Sequence, residues 1–248
     1  MNSLLISMLS LLSFFNWNQA TTLPDFITPC KGSDPNLNDC ATIAANKAIP
    51  ILVKGYPTLN IPVLSPLKIP QIKVENNGQL NIVLNDAIVR GLEESKVSNF
   101  NIDLKSNHLR FILNIPNLNI QAEYVMSGQL LVLPLSGKGP ANVTASNGDY
   151  DIDIAYTLYE KNDIQYIKLE KVDVKLDIKG LQFHFDNLLN ANKQISDDAN
   201  AFLNKEWRQV LKDLEPALKE AIEVIVLQVA NGIVDKVPYL EIYGGEVP

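Results

Sequence analysis

Residues 150–180 read YDIDIAYTLYEKNDIQYIKLEKVDVKLDIKG, and apolar side chains fall in them at every second position. Tyr150, Ile152, Ile154, Tyr156 and Leu158 keep one phase, as do Ile167 and Leu169, and the phase changes before Val172, Val174, Leu176 and Ile178. Successive side chains of a strand point to opposite faces, so this spacing builds strands with one dry side. Asp151, Asp153, Asp173, Lys175, Asp177 and Lys179 occupy the intervening positions and belong in water. The change of phase after Leu169 predicts a bulge or bend.

The same alternation extends upstream. Ile72 and Val74, then Asn76-Asn77-Gly78, then Leu80, Ile82 and Leu84 predict a hairpin. Further runs are Phe100 to Leu104, Leu109 to Ile115 and Leu118 to Met126, read as separate strands joined by short turns. Ser136-Gly137-Lys138-Gly139 lacks the spacing of a phosphate loop and reads as a turn between strands. With no helix between these runs, the pattern is an antiparallel sheet with one wet and one dry face.

Residues 196–236 change to helical spacing. Leu203, Trp207, Val210, Leu211 and Leu214 form a stripe that Leu218, Ala221, Ile222, Ile225, Val229, Ile233 and Val234 continue. A helix of that length spans about 60 Å, and Pro216 is expected to kink or divide it. Its second half is apolar nearly all round, which calls for a surrounding element, and the dry sheet face is the one available. Asp197-Asp198, after Ser196, suit the electropositive first turn. Near the other terminus, Leu37, Cys40, Ala41, Ala44, Ala48, Ile51 and Leu52 predict a short capping helix that Pro50 kinks or ends. Between them, GYPTLNIPVLSPLKIP at 55–70 is too proline-rich for a helix and too apolar for a free tether, so it should lie extended against the body.

The chain has 248 residues and a formal charge of −7. That charge argues against nucleic acid and anionic membranes as partners. The run LLISMLSLLSFF at 4–15 has the length of a signal-peptide core and is too short to span a bilayer. Residues 1–20 are expected to be a secretory signal removed after Ala20, leaving 21–248 as a single domain; a buried hydrophobic segment is the alternative. Cys30 and Cys40, an even pair in a secreted chain, read as one disulfide, two buried thiols being the alternative. Two cysteines and two distant histidines cannot supply a zinc site, and no cofactor or metal is expected. No G-x-S-x-G elbow is present, His184 faces solvent between Phe183 and Phe185, and His108 follows a turn, so no catalytic set is assigned. Asn142-Val143-Thr144 is a glycosylation sequon in what reads as a Gly/Pro-bounded loop.

The order of proline-rich strip, antiparallel strands and long terminal helix resembles the insect takeout and haemolymph juvenile-hormone-binding protein family. The local strings that carry the resemblance are the Cys30/Cys40 pair with its helix, GYPTLNIPVLSPLKI at 55–69, IPNLNIQAEYVMSGQLLVLPLSGKG at 115–139, FLNKEW at 202–207 and KVPY at 236–239. The resemblance implies an α+β fold: a strongly curved antiparallel sheet wrapped round a long C-terminal helix, related to the tubular lipid-binding superfamily. It also implies an internal tunnel holding an elongated apolar molecule of the juvenile-hormone, fatty-acid or isoprenoid type, and members are associated with feeding and circadian output. Having only the N-terminal cysteine pair places the chain nearer the takeout branch. Periodicity alone is equally consistent with a filled core, and so with a signalling or interaction protein whose partner is a receptor; lipid-surface recognition is a third class, which the negative charge disfavours. The expected ligand-binding residues are Phe111, Leu113, Tyr124, Met126, Ile154 and Tyr156 on the sheet and Phe202, Trp207, Leu211, Leu218, Ile222 and Ile225 on the helix.

Overall fold

A computed structural model of the protein describes residues 22–76, 80–130, 133–190 and 192–247. The apolar run at 4–15 and the Asn77-Gly78 turn lie outside the described residues. Six strands form one antiparallel sheet: β1 (Leu67–Asn76), β2 (Leu80–Arg90), β3 (Lys96–Asp103), β4 (His108–Leu130), β5 (Leu133–Lys161) and β6 (Ile164–Phe185). Their order is β1-β2-β4-β5-β6, with β3 also paired to β4. The predicted phase break is a bulge: Ala155 pairs with Lys171 but Tyr156 with Leu169, leaving Glu170 extra.

Several local expectations are corrected. The runs at 109–115 and 118–126 are one strand, β4, running through Pro116. Pro116 sits in a gap of the ladder. Pairing with β3 ends at Asn114, pairing with β2 begins at Asn119, and Asn147 opposite it, left-handed at φ 49°, is skipped in the register with β4 and with β6. The missing N–H therefore falls where pairing has already lapsed. Gly91 backs this gap, since a Cβ there would stand 1.9 Å from the Asn117 carbonyl oxygen. Ser136 to Gly139 are not a turn but part of β5. Asn142 likewise lies within β5, in register with Gln121 and His184 and exposed on the outer face, where its Oδ1 accepts from Asn119 Nδ2 at 2.6 Å.

The long helix is interrupted at Glu206 (φ −96°, ψ 22°), which separates α2 (Lys193–Lys205) from α3 (Trp207–Val234). Pro216 does not divide α3; it is exposed, as is Lys212, whose carbonyl loses its donor to the proline and faces water instead. Asn192 caps α2, its Oδ1 accepting from Ile195 N at 3.1 Å, so Asp197 and Asp198 fall in the second turn and pair with Lys193 and Gln194. Ser196 is buried, with Oγ accepting from Leu188 N rather than capping its own helix.

Asparagines close the sheet edges. On α2, Asn204 exchanges two hydrogen bonds with the backbone of Phe183, at 2.7 and 2.9 Å, and Asn200 two with that of Phe185, both at 2.9 Å. Asn46 of α1 (Leu37–Leu52) does the same for Val97 of β3, at 2.9 and 2.7 Å. Each amide supplies the donor and acceptor that a neighbouring strand would have offered.

Fully extended, the 29 residues of β5 would reach about 95 Å, against about 42 Å for the 28 residues of α3, so the sheet must curl to follow the helix. It is a curved, open sheet with α3 packed against β1 and β6, the two ends of its strand order. The helix is not buried on every side: Val224 is 59% exposed. The proline strip does lie against the body, with Leu59, Ile61 and Leu64 buried. After α3, α4 (Tyr239–Ile242) packs on β6.

Candidate functional site

Alternation puts Leu109, Phe111 and Leu113 of β4 and Ile152 and Ile154 of β5 on the dry face, side by side: Leu109 pairs with Ile154, Phe111 with Ile152. Opposite stands the second half of α3, with Ile225, Val226, Val229, Ala230, Ile233 and Val234. The third wall is α1, whose Leu37, Ala41, Ala44, Ala45, Ala48, Ile49 and Leu52 share one helical face. Alanine side chains cannot reach across to the sheet, and a cavity of about 440 Å³ is left between the three walls. That volume lies within the range of small-molecule sites, about 300–1,000 Å³.

Leu23, Ile27, Thr28 and Cys30 of the N-terminal segment complete the wall. The Cys30–Cys40 disulfide ties that segment to α1. Among the described residues none that lines the cavity is charged, and Thr28, Ser95 and Tyr243 bring its hydroxyls. Buried phenols nearby stay protonated: burial pushes Tyr150 and Tyr243 up to about 12. Tyr156 is raised further, first by burial and then by Tyr243 and Tyr239 beside it. The charges lie outside. Arg110 ion-pairs with Asp151, and the two histidines meet carboxylates on exposed positions, His108 with Asp153 at 3.3 Å and His184 with Asp186 at 3.0 Å. Among the described residues no three His, Cys, Asp or Glu side chains gather as a metal site.

Of the twelve residues proposed from sequence for the ligand, Phe111, Leu113, Ile154 and Ile225 line this cavity. Ile222 packs behind it, against the Ile152 and Val174 cluster, and Tyr156 is buried with Tyr239 and Tyr243. Tyr124, Met126, Phe202 and Trp207 gather at a separate core with Leu203, Val210 and Phe185, where the Tyr124 hydroxyl donates to the Asp186 carbonyl at 2.7 Å. Leu211 and Leu218 are half-buried on α3 outside both groups. The α1 face, the N-terminal segment and Ser95 were not among the expected site residues. The signal for α1 was available in the size of Ala41, Ala44 and Ala48, whose stripe reads as packing unless the missing volume is noticed.

Comparison with known proteins adds the lineage. The family description "Haemolymph juvenile hormone binding protein" matches residues 5–244. The chain is 25% identical over 232 residues to the circadian clock-controlled protein daywake of Drosophila yakuba, covering 89% of each chain. It is 24% identical over 226 residues to a putative beta-carotene-binding protein of Schistocerca gregaria, covering 87% of each. Among solved structures, Takeout 1 of Epiphyas postvittana superposes with a TM-score of 0.78 at 26% identity, covering 86% of this chain and 97% of that one. The strand order, the helix laid along the curved sheet and these matches over most of the chain agree, and the protein belongs to the takeout and haemolymph juvenile hormone binding protein family.

Proposed function

We propose that this protein is a secreted, non-enzymatic carrier that holds one elongated apolar small molecule between α1, the sheet and α3. The observation that carries the reading is that the described residues around a space of ligand size include no charged side chain. Apolar burial is the driving force, since each Å² removed from water is worth roughly 25 cal/mol. Phe111, Leu113, Ile154 and Ile225 are the contacts expected from both pattern and position. A relative named for binding beta-carotene is consistent with a water-insoluble ligand. Secretion is supported by the signal-like run at 4–15 and by the Cys30–Cys40 disulfide, a bond that persists in oxidising compartments.

The test is native mass spectrometry of the protein collected from the medium of secreting cells, followed by organic extraction. A mature chain beginning at Thr21 with a stoichiometric apolar molecule is the expected result. A chain that arrives empty and takes up neither fatty-acid nor isoprenoid probes would refute the carrier reading.

A further inference from the structure

One group on the cavity wall is not explained by apolar containment. Ser95 stands where the Leu92–Glu94 turn enters β3, is only 9% exposed, and its hydroxyl has no hydrogen-bond partner among the described residues. The turn does not need that hydroxyl, because the Ser95 N–H already closes it on the Leu92 carbonyl at 3.2 Å. A buried hydroxyl without a partner is unfavourable, and alanine would complete the wall without that cost. Its wall neighbours Leu92 and Val97 have no polar side-chain atoms with which to satisfy it. Tyr156, the other buried hydroxyl without an aligned partner, is a weaker case, since it lies off the wall and against Tyr239 and Tyr243.

We propose that Ser95 is the polar anchor of the ligand site, donating its hydrogen bond to an uncharged oxygen of the ligand: an ester, ketone, ether or alcohol. The inference rests on the carrier reading and narrows it. With no cationic side chain among the described residues of the wall, a carboxylate held beside Ser95 would lose its water and gain no counter-charge, so a neutral oxygen is the group that fits.

The experiment uses the full secreted protein, stripped of lipid and loaded with a fluorescent apolar reporter, and three displacing probes of one chain length: hexadecane, methyl palmitate and palmitate. The protein should prefer methyl palmitate to hexadecane by about fivefold, the size of one net hydrogen bond. Palmitate should bind more weakly than its ester at neutral pH. In Ser95→Ala the affinity for hexadecane should be kept, the preference for the ester lost, and the melting temperature of the empty protein equal or higher. Should Ser95→Ala fail to accumulate, Ser95→Cys, similar in size and a poorer donor, should show a reduced preference. Equal binding of hexadecane and methyl palmitate, a preference that survives in the variant, or tighter binding of palmitate would each overturn the anchor and leave the carrier standing. Failure of all three probes to displace the reporter would remove both.

Discussion

Around Tyr124 the dry face of the sheet meets large side chains: Leu80, Leu188, Leu203 and Val210 are each at most 1% exposed and close on one another. Around Phe111 the same face meets α1, which offers Ala41, Ala44, Ala45 and Ala48, and the space stays open. Both regions obey the same alternation of strand residues. What differs is the volume of the side chains facing them, so a filled core and a binding site are built here from one pattern and two sets of sizes. Close packing leaves a filled core no slack, whereas a wall beside empty space has already lost part of its dispersion contact.

That contrast can be broken most directly by truncation. Leu203→Ala should cost the empty protein about 2–5 kcal/mol in urea unfolding. Leu113→Ala, on the cavity wall and half-buried, should cost less than half as much, because Leu113 already borders a void. Equal losses would mean that the two regions are packed alike. Enlargement should run the other way. Ala199→Leu, in the packed cluster, should destabilise by about 1–3 kcal/mol. Ala44→Leu should cost under about 1 kcal/mol while reducing the affinity for methyl palmitate about tenfold.

These tests also mark what could be read from sequence. The strands, their wet and dry faces, the bulge after Leu169, the capping helix and the terminal helix all follow from local periodicity, which is a property of neighbouring residues. The continuity of β4 through Pro116 does not, since it depends on Asn147, Arg90 and Gly91 meeting that position from other parts of the chain. The helix break at Glu206 was hidden for a related reason: Pro216 is the stronger breaker locally, but it faces water, whereas α2 is held to β6 by Asn200 and Asn204. The site was least legible. Alternation says which residues turn inward and is silent on whether the opposing element is large enough to reach them.

The edge asparagines offer a comparison of the same two regions with a smaller effect. Asn200→Ala leaves the N–H and carbonyl of Phe185 unpaired in a buried setting and should cost about 1–3 kcal/mol. Asn46→Ala does the same to Val97 beside the cavity, where the amide is half-buried and water can replace part of it, so the loss should be smaller. Hydrogen exchange at the Phe185 and Val97 amides would read the two directly. Faster exchange at Val97 than at Phe185 is expected, and the reverse order would place the looser edge at the packed end.

Alkaline titration gives the smallest and most symmetric test, because each region carries a buried phenol pushed up to about 12, Tyr124 in the packed core and Tyr243 on the cavity wall. The native protein holds these protons more tightly than the unfolded chain, whose phenols ionise near pH 10 (about 10 for free tyrosine). The associated stability is therefore complete below about pH 10 and is lost as the pH rises from about 10 towards 12. Tyr243→Phe should flatten that decline with little change at neutral pH. Tyr124→Phe should flatten it too, but also lose the bond to the Asp186 carbonyl, lowering neutral stability by about 1 kcal/mol. A ligand that occupies the cavity should steepen the decline in the wild type by excluding water from Tyr243, and should leave the Tyr243→Phe curve unmoved. An alkaline decline indifferent to ligand would separate Tyr243 from the space it borders.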